Sequence, residues 1–176
     1  MSRPRVYYDN VIACALVRRD IPAEEMSAVD VLEQWCADRR IVRVTSKWSR
    51  LEQARTPHAE DRAKFAANAD AVPLVPNDHR LLGIHNHQFG LYDSFNSPMI
   101  TDIVDQPLHD LLRTIITKDD DDVMHLMYAQ SNHCDYFVTY DLEHIVKKRK
   151  AIESACSGLH VVRPLELVAK LRPLID

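Results

Sequence analysis

The sequence has little that marks a non-globular or membrane chain. Only three of its 176 residues are glycine, and there is no internal repeat and no low-complexity linker. Its four cysteines, Cys14, Cys36, Cys134 and Cys156, lie far apart without a CxxC pair, which excludes a zinc ribbon or a disulfide framework spelled out in sequence. No apolar run approaches the roughly 18–20 residues of a membrane span. The start, MSRPRVYYD, lacks the apolar stretch of a secretory signal, so a cytoplasmic protein with no membrane contact is expected. Net positive charge is also missing. Twenty-two basic against 26 acidic side chains give a formal charge of -4, so any nucleic-acid contact must use a local basic face. Nor is there a Ser/His/Asp or Cys/His arrangement that would announce a nucleophilic hydrolase.

What is present is a chain long enough for one good core, with 46% hydrophobic residues. Arg5 to Tyr8 is a β-branched and aromatic run that ends in Asp9 and leads into a helical stretch from Val11 to Val17. From Pro22 to Arg39, Met26, Val29, Leu32, Trp35 and Cys36 recur at helical spacing, with Asp20 as the expected N-cap. A second strand is expected over 41–45, and Ser46 is placed to cap a helix through Trp48, Leu51 and Glu52. Ala59 to Ala69 reads as helical, after which Pro73, Pro76 and Pro98 interrupt any long pattern.

Leu108, Leu111, Leu112, Ile115 and Ile116 mark a further helix, and the acid run Asp119 to Asp122 opens another, as suits a helix dipole. Residues 135–140 form the clearest strand. Asp141 ends it, and a basic helical stretch from Glu143 to Ile152 follows. Val161-Val162 is a last short strand before a closing helix from Pro164 to Leu171. Strands separated by helices imply crossovers, hence an α/β fold with a mainly parallel sheet covered on both faces. In such sheets the functional crevice lies beyond the carboxyl ends of the strands. Asp9 and Asp141 follow directly on expected strands and Glu52 lies on a helix entered from one, so three acids point toward the same rim.

VYYDNVI near the start, the Glu within SKWSRLEQ, DVMHLMYA on a later helix and CDYFVTYD on a strand together resemble the PIN-domain nucleases, VapC-like ribonucleases among them. The resemblance covers about residues 5 to 56 and 107 to 165 and leaves the middle unmatched. It implies a single domain over 1–176, a PIN-like three-layer α/β/α sandwich, with 57–105 as an insertion or cap. The first metal-site acid of that family falls on Asp9 and its helix glutamate on Glu52. Its third acid, three residues before His125-Leu126, falls on Asp122, and the acid of its Thr-x-Asp ending falls on Asp141. Thr139 and Asn10 would support those acids by hydrogen bonding, Asn10 following Asp9 one position earlier than the family's pattern has it.

Four carboxylates suit Mg²⁺ or Mn²⁺, hard ions that take oxygen ligands and keep waters for substrate and nucleophile. The implied activity is metal-dependent cleavage of single-stranded RNA by an activated water. Arg43, Lys47, Arg50, Lys147 and Lys148 flank two of the acids in sequence and would track a phosphate backbone. The family analogy adds a toxin role, with an antitoxin protein and a homodimer as expected partners. A degenerate PIN-like module that binds RNA or protein without cutting is the alternative. A haloacid-dehalogenase-like phosphatase ranks lower, because it wants a second Asp two residues after the first and Val11 stands there. Singly, each acid reads as a helix cap or a solvated helix start, and His125 as a residue packed on its helix. His85-Asn86-His87 invites reading as a zinc pair, a minor option, or as an HNH motif, which is instead spread over a ββα unit, and Phe89, Tyr92 and Phe95 read as a small local core ahead of a base-stacking surface.

Overall fold

The computed structural model describes residues 3–75, 105–117 and 120–175. Among these the chain runs β1 (Arg5–Tyr8), α1 (Asn10–Arg18), α2 (Ala23–Ala37), β2 (Val42–Val44), α3 (Lys47–Ala54), α4 (Ala59–Asp70), α5 (Gln106–Ile115) and α6 (Asp120–Ser131). It continues through β3 (Tyr136–Val138), a 3₁₀ turn (Val146–Lys148), α7 (Arg149–Ala155), β4 (His160–Val162) and α8 (Pro164–Ile175). No described helix is long and apolar enough to cross a membrane.

The four described strands make one sheet in the order β2-β1-β3-β4, every pair parallel, with Val6 opposite Arg43 on one side and Tyr136 on the other. Strand alternation divides the core in two. Tyr7, Val44, Phe137 and Val161 face a cluster with residues of α3, α5, α6 and α7, whereas Val6, Tyr8, Tyr136, Val138 and Val162 face one with α1, α2 and α8. Helices on both faces of a parallel sheet form a three-layer α/β/α arrangement, as the strand and helix alternation leads one to expect.

Local chemistry accounts for several element ends. Asp9 caps α1 by accepting from the Asn10 N–H, and α1 stops where Arg19 takes a left-handed backbone, φ 58°. Ser46 caps α3 by accepting from the Ser49 N–H, as its position predicts. Asp20 does not cap α2. The helix begins at Ala23 after Pro22, which makes no side-chain cap bond, and the acids of its first turn are Glu24 and Glu25. A cap must directly precede the first helical residue, and Pro22 occupies that place.

One further expectation changes. The helix expected from Glu143 begins only at Arg149, because the Asp141 carboxylate accepts from the Glu143 and His144 N–H groups and draws the chain into a turn. The described part of the segment expected as an insertion or cap, 57–75, contributes α4 and a short edge contact. In it, α4 buries Phe65 and Ala69, Val75 joins the cluster beneath β2, and Leu74 forms a parallel bridge with Thr45 at the sheet edge. Here α4 packs against α1 and α3. The remainder of that segment, with His85-Asn86-His87, Phe89, Tyr92 and Phe95, lies outside the described residues.

Candidate active site at the sheet switch point

The chain leaves β1 toward β2 on one side and later leaves β3 toward β4 on the other. The order therefore reverses between β1 and β3, and in open parallel sheets the crevice outside the carboxyl ends of two such strands is where ligands bind. Asp9 follows β1 directly and Thr139 follows β3 directly, so sheet register alone sets them side by side. The Asp9 N–H donates to the Val138 carbonyl at 3.0 Å, extending the ladder past the last paired residues.

Asp9 is buried, and both of its carboxylate oxygens are held: Oδ1 accepts from the Asn10 N–H at 2.7 Å and Oδ2 from the Thr139 hydroxyl at 2.6 Å. Burial pushes the Asp9 carboxyl above its usual range, and the charge of Glu52 adds to this. The charge of His125 and the two hydrogen bonds pull the other way. Thr139 is fully buried and also accepts from the Asp141 N–H at 3.0 Å, so one hydroxyl joins Asp9 to the Asp141 turn. Beyond its two backbone contacts, the Asp141 carboxylate meets His144 Nδ1 at 3.0 Å. The Asn10 side chain does not support Asp9. Its Oδ1 accepts from Gln53 Nε2 at 3.3 Å, and it is the backbone N–H of Asn10 that holds the acid.

The largest difference from the sequence reading lies at His125. Rather than merely packing on α6, it is buried between two polar partners: Nε2 meets Glu52 Oε2 at 2.7 Å, and Nδ1 meets the Tyr7 hydroxyl at 2.9 Å. Burial opposes a charged imidazole. The Glu52 hydrogen bond and the charges of Asp9, Glu52 and Asp122 outweigh that and raise its pKa above the ordinary value. Behind it, the Tyr7 hydroxyl reaches Ser46 Oγ at 2.6 Å and Ser49 Oγ at 3.2 Å. The available signal in sequence was a histidine one turn after Asp122 within the apolar run Val123, Met124, Leu126 and Met127.

The acid run at the start of α6 is also sorted. Asp120 pairs with Arg113 and Asp121 with Arg55, each at 3.1 Å, while the charge of Asp122 bears on His125. Asp119 lies outside the described residues. Of the basic residues expected to track phosphates, Arg43 is committed elsewhere. Its guanidinium bonds Glu33 at 2.6 Å and Asn68 at 3.0 Å, lies over Tyr8 and is 11% exposed, which withdraws it from that role. Arg50 bonds the Ala69 carbonyl and pairs with Asp70. Lys47 opens α3, and Lys147 and Lys148 lie on the 3₁₀ turn a few residues after Asp141, Lys147 being exposed and paired loosely with Glu143 at 3.4 Å.

Among the described residues no three His, Cys, Asp or Glu side chains form a ready-made metal-binding group. Comparison of the chain with family models, with curated proteins and with solved structures finds no match.

Proposed function

We propose that the crevice between the ends of β1 and β3 is the active site of a Mg²⁺- or Mn²⁺-dependent endoribonuclease acting on single-stranded RNA, in the manner of the PIN-domain nucleases the sequence resembles. One observation carries this reading: at a sheet switch point, Asp9 directly follows β1 and is held from β3 by Thr139, while Glu52 is held at 2.7 Å by the buried His125. The backbone N–H of Asp141 donates to the same Thr139 hydroxyl that holds Asp9.

The donor set fits a hard cation in kind, being all carboxylate oxygen. Mg²⁺ is commonly held by one or two carboxylates and keeps several waters, so a closed protein cage is not required. Asp9, Glu52, Asp122 and Asp141 are the residues that would hold it. The raised pKa of buried Asp9 has a cause that a cation would relieve, since burial and the charge of Glu52 both disfavour its ionised form. When bound, the ion supplies an acidified water and neutralises charge on the scissile phosphate.

The side chains have separate tasks in this reading. Asp9 is fixed by Thr139 and by the Asn10 N–H, so its lone pairs are oriented before any ligand arrives. Lys47, Lys147 and Lys148 would hold the RNA backbone by charge, without reading bases. As a toxin, the protein would take a short antitoxin protein as partner and could pair as a homodimer, and co-expression with the neighbouring reading frame followed by size analysis checks both.

The test is cleavage of a mixed single-stranded RNA pool with Mg²⁺, with Mn²⁺ and with chelator, run on wild type and Asp9→Asn. Cleavage is expected only for wild type with metal, and Asp9→Asn should lose turnover while keeping RNA affinity. Replacing Lys147 and Lys148 together should weaken binding and flatten its salt dependence. Cleavage that survives chelation would sink the reading. RNA binding by wild type with no cleavage under any metal would replace it with the non-catalytic binding module.

A further inference from the structure

The buried polar chain behind Glu52 has no task in the reading above, yet it is built from four side chains on three elements. On α3, Ser46 as the cap, Ser49 and Glu52 recur every three residues along one face. On β1, Tyr7 and Asp9 are two apart and therefore share a side of the strand. His125 of α6 closes the gap between these two rows, with hydrogen bonds of 2.9 Å to Tyr7 and 2.7 Å to Glu52. The tyrosine and histidine rings lie 5.8 Å apart, centre to centre.

We propose that His125 is the positioning residue of Glu52: anchored through Nδ1 on the Tyr7 hydroxyl, it uses its Nε2–H to hold the Glu52 carboxylate at the crevice beside Asp9. The inference rests on the metal-dependent reading of that crevice and assigns a role that reading leaves open.

Donor and acceptor counting supports the direction of each bond. An ionised carboxylate only accepts, so Nε2 must donate to Glu52. If Nδ1 carries no proton, the Tyr7 O–H donates to it and the Tyr7 oxygen accepts from the Ser46 and Ser49 hydroxyls. If Nδ1 carries a proton, it donates to Tyr7, whose own O–H then turns to Ser46 at 2.6 Å. Ser46 Oγ accepts from the Ser49 N–H in both cases. The chain is satisfied either way, so the tether does not depend on the charge of the ring.

Glu52 needs such a tether. Its side chain is one-quarter exposed on an eight-residue helix, and an untethered glutamate spreads over many rotamers whose restriction opposes ion binding. The imidazole cannot swing away, because it is 1% exposed and both of its nitrogens are engaged. Hydrogen-bond partners that orient a ligating side chain typically contribute about 10–100-fold in metal affinity.

The experiment has two arms on the full chain. In the first, nitrogen and proton resonances of the His125 ring are recorded in chelator for wild type and Glu52→Gln. An Nε2–H signal shifted downfield by a strong acceptor is expected, and it should move upfield in Glu52→Gln. In the second, Mn²⁺ alone is titrated by electron paramagnetic resonance into wild type, His125→Asn and His125→Gln. The glutamine amide can reach the oxygen that Nε2 reaches, whereas the shorter asparagine cannot. His125→Asn should therefore bind Mn²⁺ about tenfold or more weakly while His125→Gln keeps most of the affinity, although both lose ring packing and melt at similar temperatures.

Unchanged ring resonances in Glu52→Gln would overturn the tether whatever the metal does. So would Mn²⁺ binding by His125→Asn equal to wild type. If wild type binds no Mn²⁺ but its ring signal responds to Glu52→Gln, the tether stands and the metal-dependent reading is what fails.

Discussion

Replacing Thr139 by valine removes one hydroxyl at the junction of Asp9 and Asp141 while leaving the shape of the side chain almost unchanged. Thr139 is fully buried, donates to Asp9 Oδ2 at 2.6 Å and accepts from the Asp141 N–H at 3.0 Å. A hydrogen bond to an ionised group contributes about 1.5–3 kcal/mol, and a neutral one about 1 kcal/mol. The methyl that valine supplies in place of the hydroxyl returns roughly 0.8 kcal/mol through added apolar burial. Losing both bonds against that return leaves a net destabilisation of about 2–3 kcal/mol for Thr139→Val. Thr139→Ser keeps both hydrogen bonds and loses one buried methyl, about 1 kcal/mol.

For a domain of this size each kcal/mol shifts the melting temperature by about 2–4 °C, so Thr139→Val should melt roughly 5–10 °C below wild type and below Thr139→Ser. Calorimetric melts in chelator at neutral pH check this. The gap between the two variants should narrow as acid protonates Asp9 and removes the charge from the bond. Because the Asp9 pKa is raised in the fold, that narrowing begins at a higher pH than for an ordinary aspartate. If packing rather than the hydroxyl governs this position, valine will be at least as stable as serine, and the account of how Asp9 is held would be refuted.

Three further outcomes follow from the same geometry. Because the His125 pKa is raised above 6.5 in the fold, the folded state keeps a proton that the unfolded chain releases. That contribution is fully present below pH 6.5 and is lost as pH rises through the folded value, so metal-free protein should melt progressively lower over that window. A variant with glutamine at 125 should lack the slope, and an equal slope in both would reject the argument. Glu25 is 1% exposed, accepts the Leu165 N–H at the start of α8 and pairs with Arg163 at 3.3 Å. Glu25→Ala should therefore lower unfolding free energy by about 2–4 kcal/mol in denaturant titration, and a loss within error of zero would show that this contact does not hold α8 to α2. Phe65 is 1% exposed, and Phe65→Ala should cost about 3–5 kcal/mol in the same assay if α4 belongs to the core, against almost nothing if it were an outlying arm.

The sequence by itself determined the elements and their kind. Val6 to Tyr8, Phe137 to Val138 and Val161 to Val162 announce strands, and the spacing of Met26, Val29, Leu32 and Trp35 announces a helix, because strand and helix periodicities are properties of neighbouring residues. Caps read equally well where donor and acceptor are adjacent, as at Ser46. The placement of Asp9 beyond the end of a strand was legible for the same reason.

Tertiary structure alone decided which strands are neighbours. Only the order β2-β1-β3-β4 sets Thr139 against Asp9 across 130 residues of chain and makes their shared edge a switch point. It also decided that Arg43 is spent on Glu33 and Asn68, that Asp141 closes a turn, and that His125 stands between Tyr7 and Glu52. Local periodicity reports that a position is buried but not what it is buried against. A histidine on an apolar helix face, an arginine within a strand and an acid at a strand end acquire their partners only when distant faces pack together and exclude the water that would otherwise satisfy each of them.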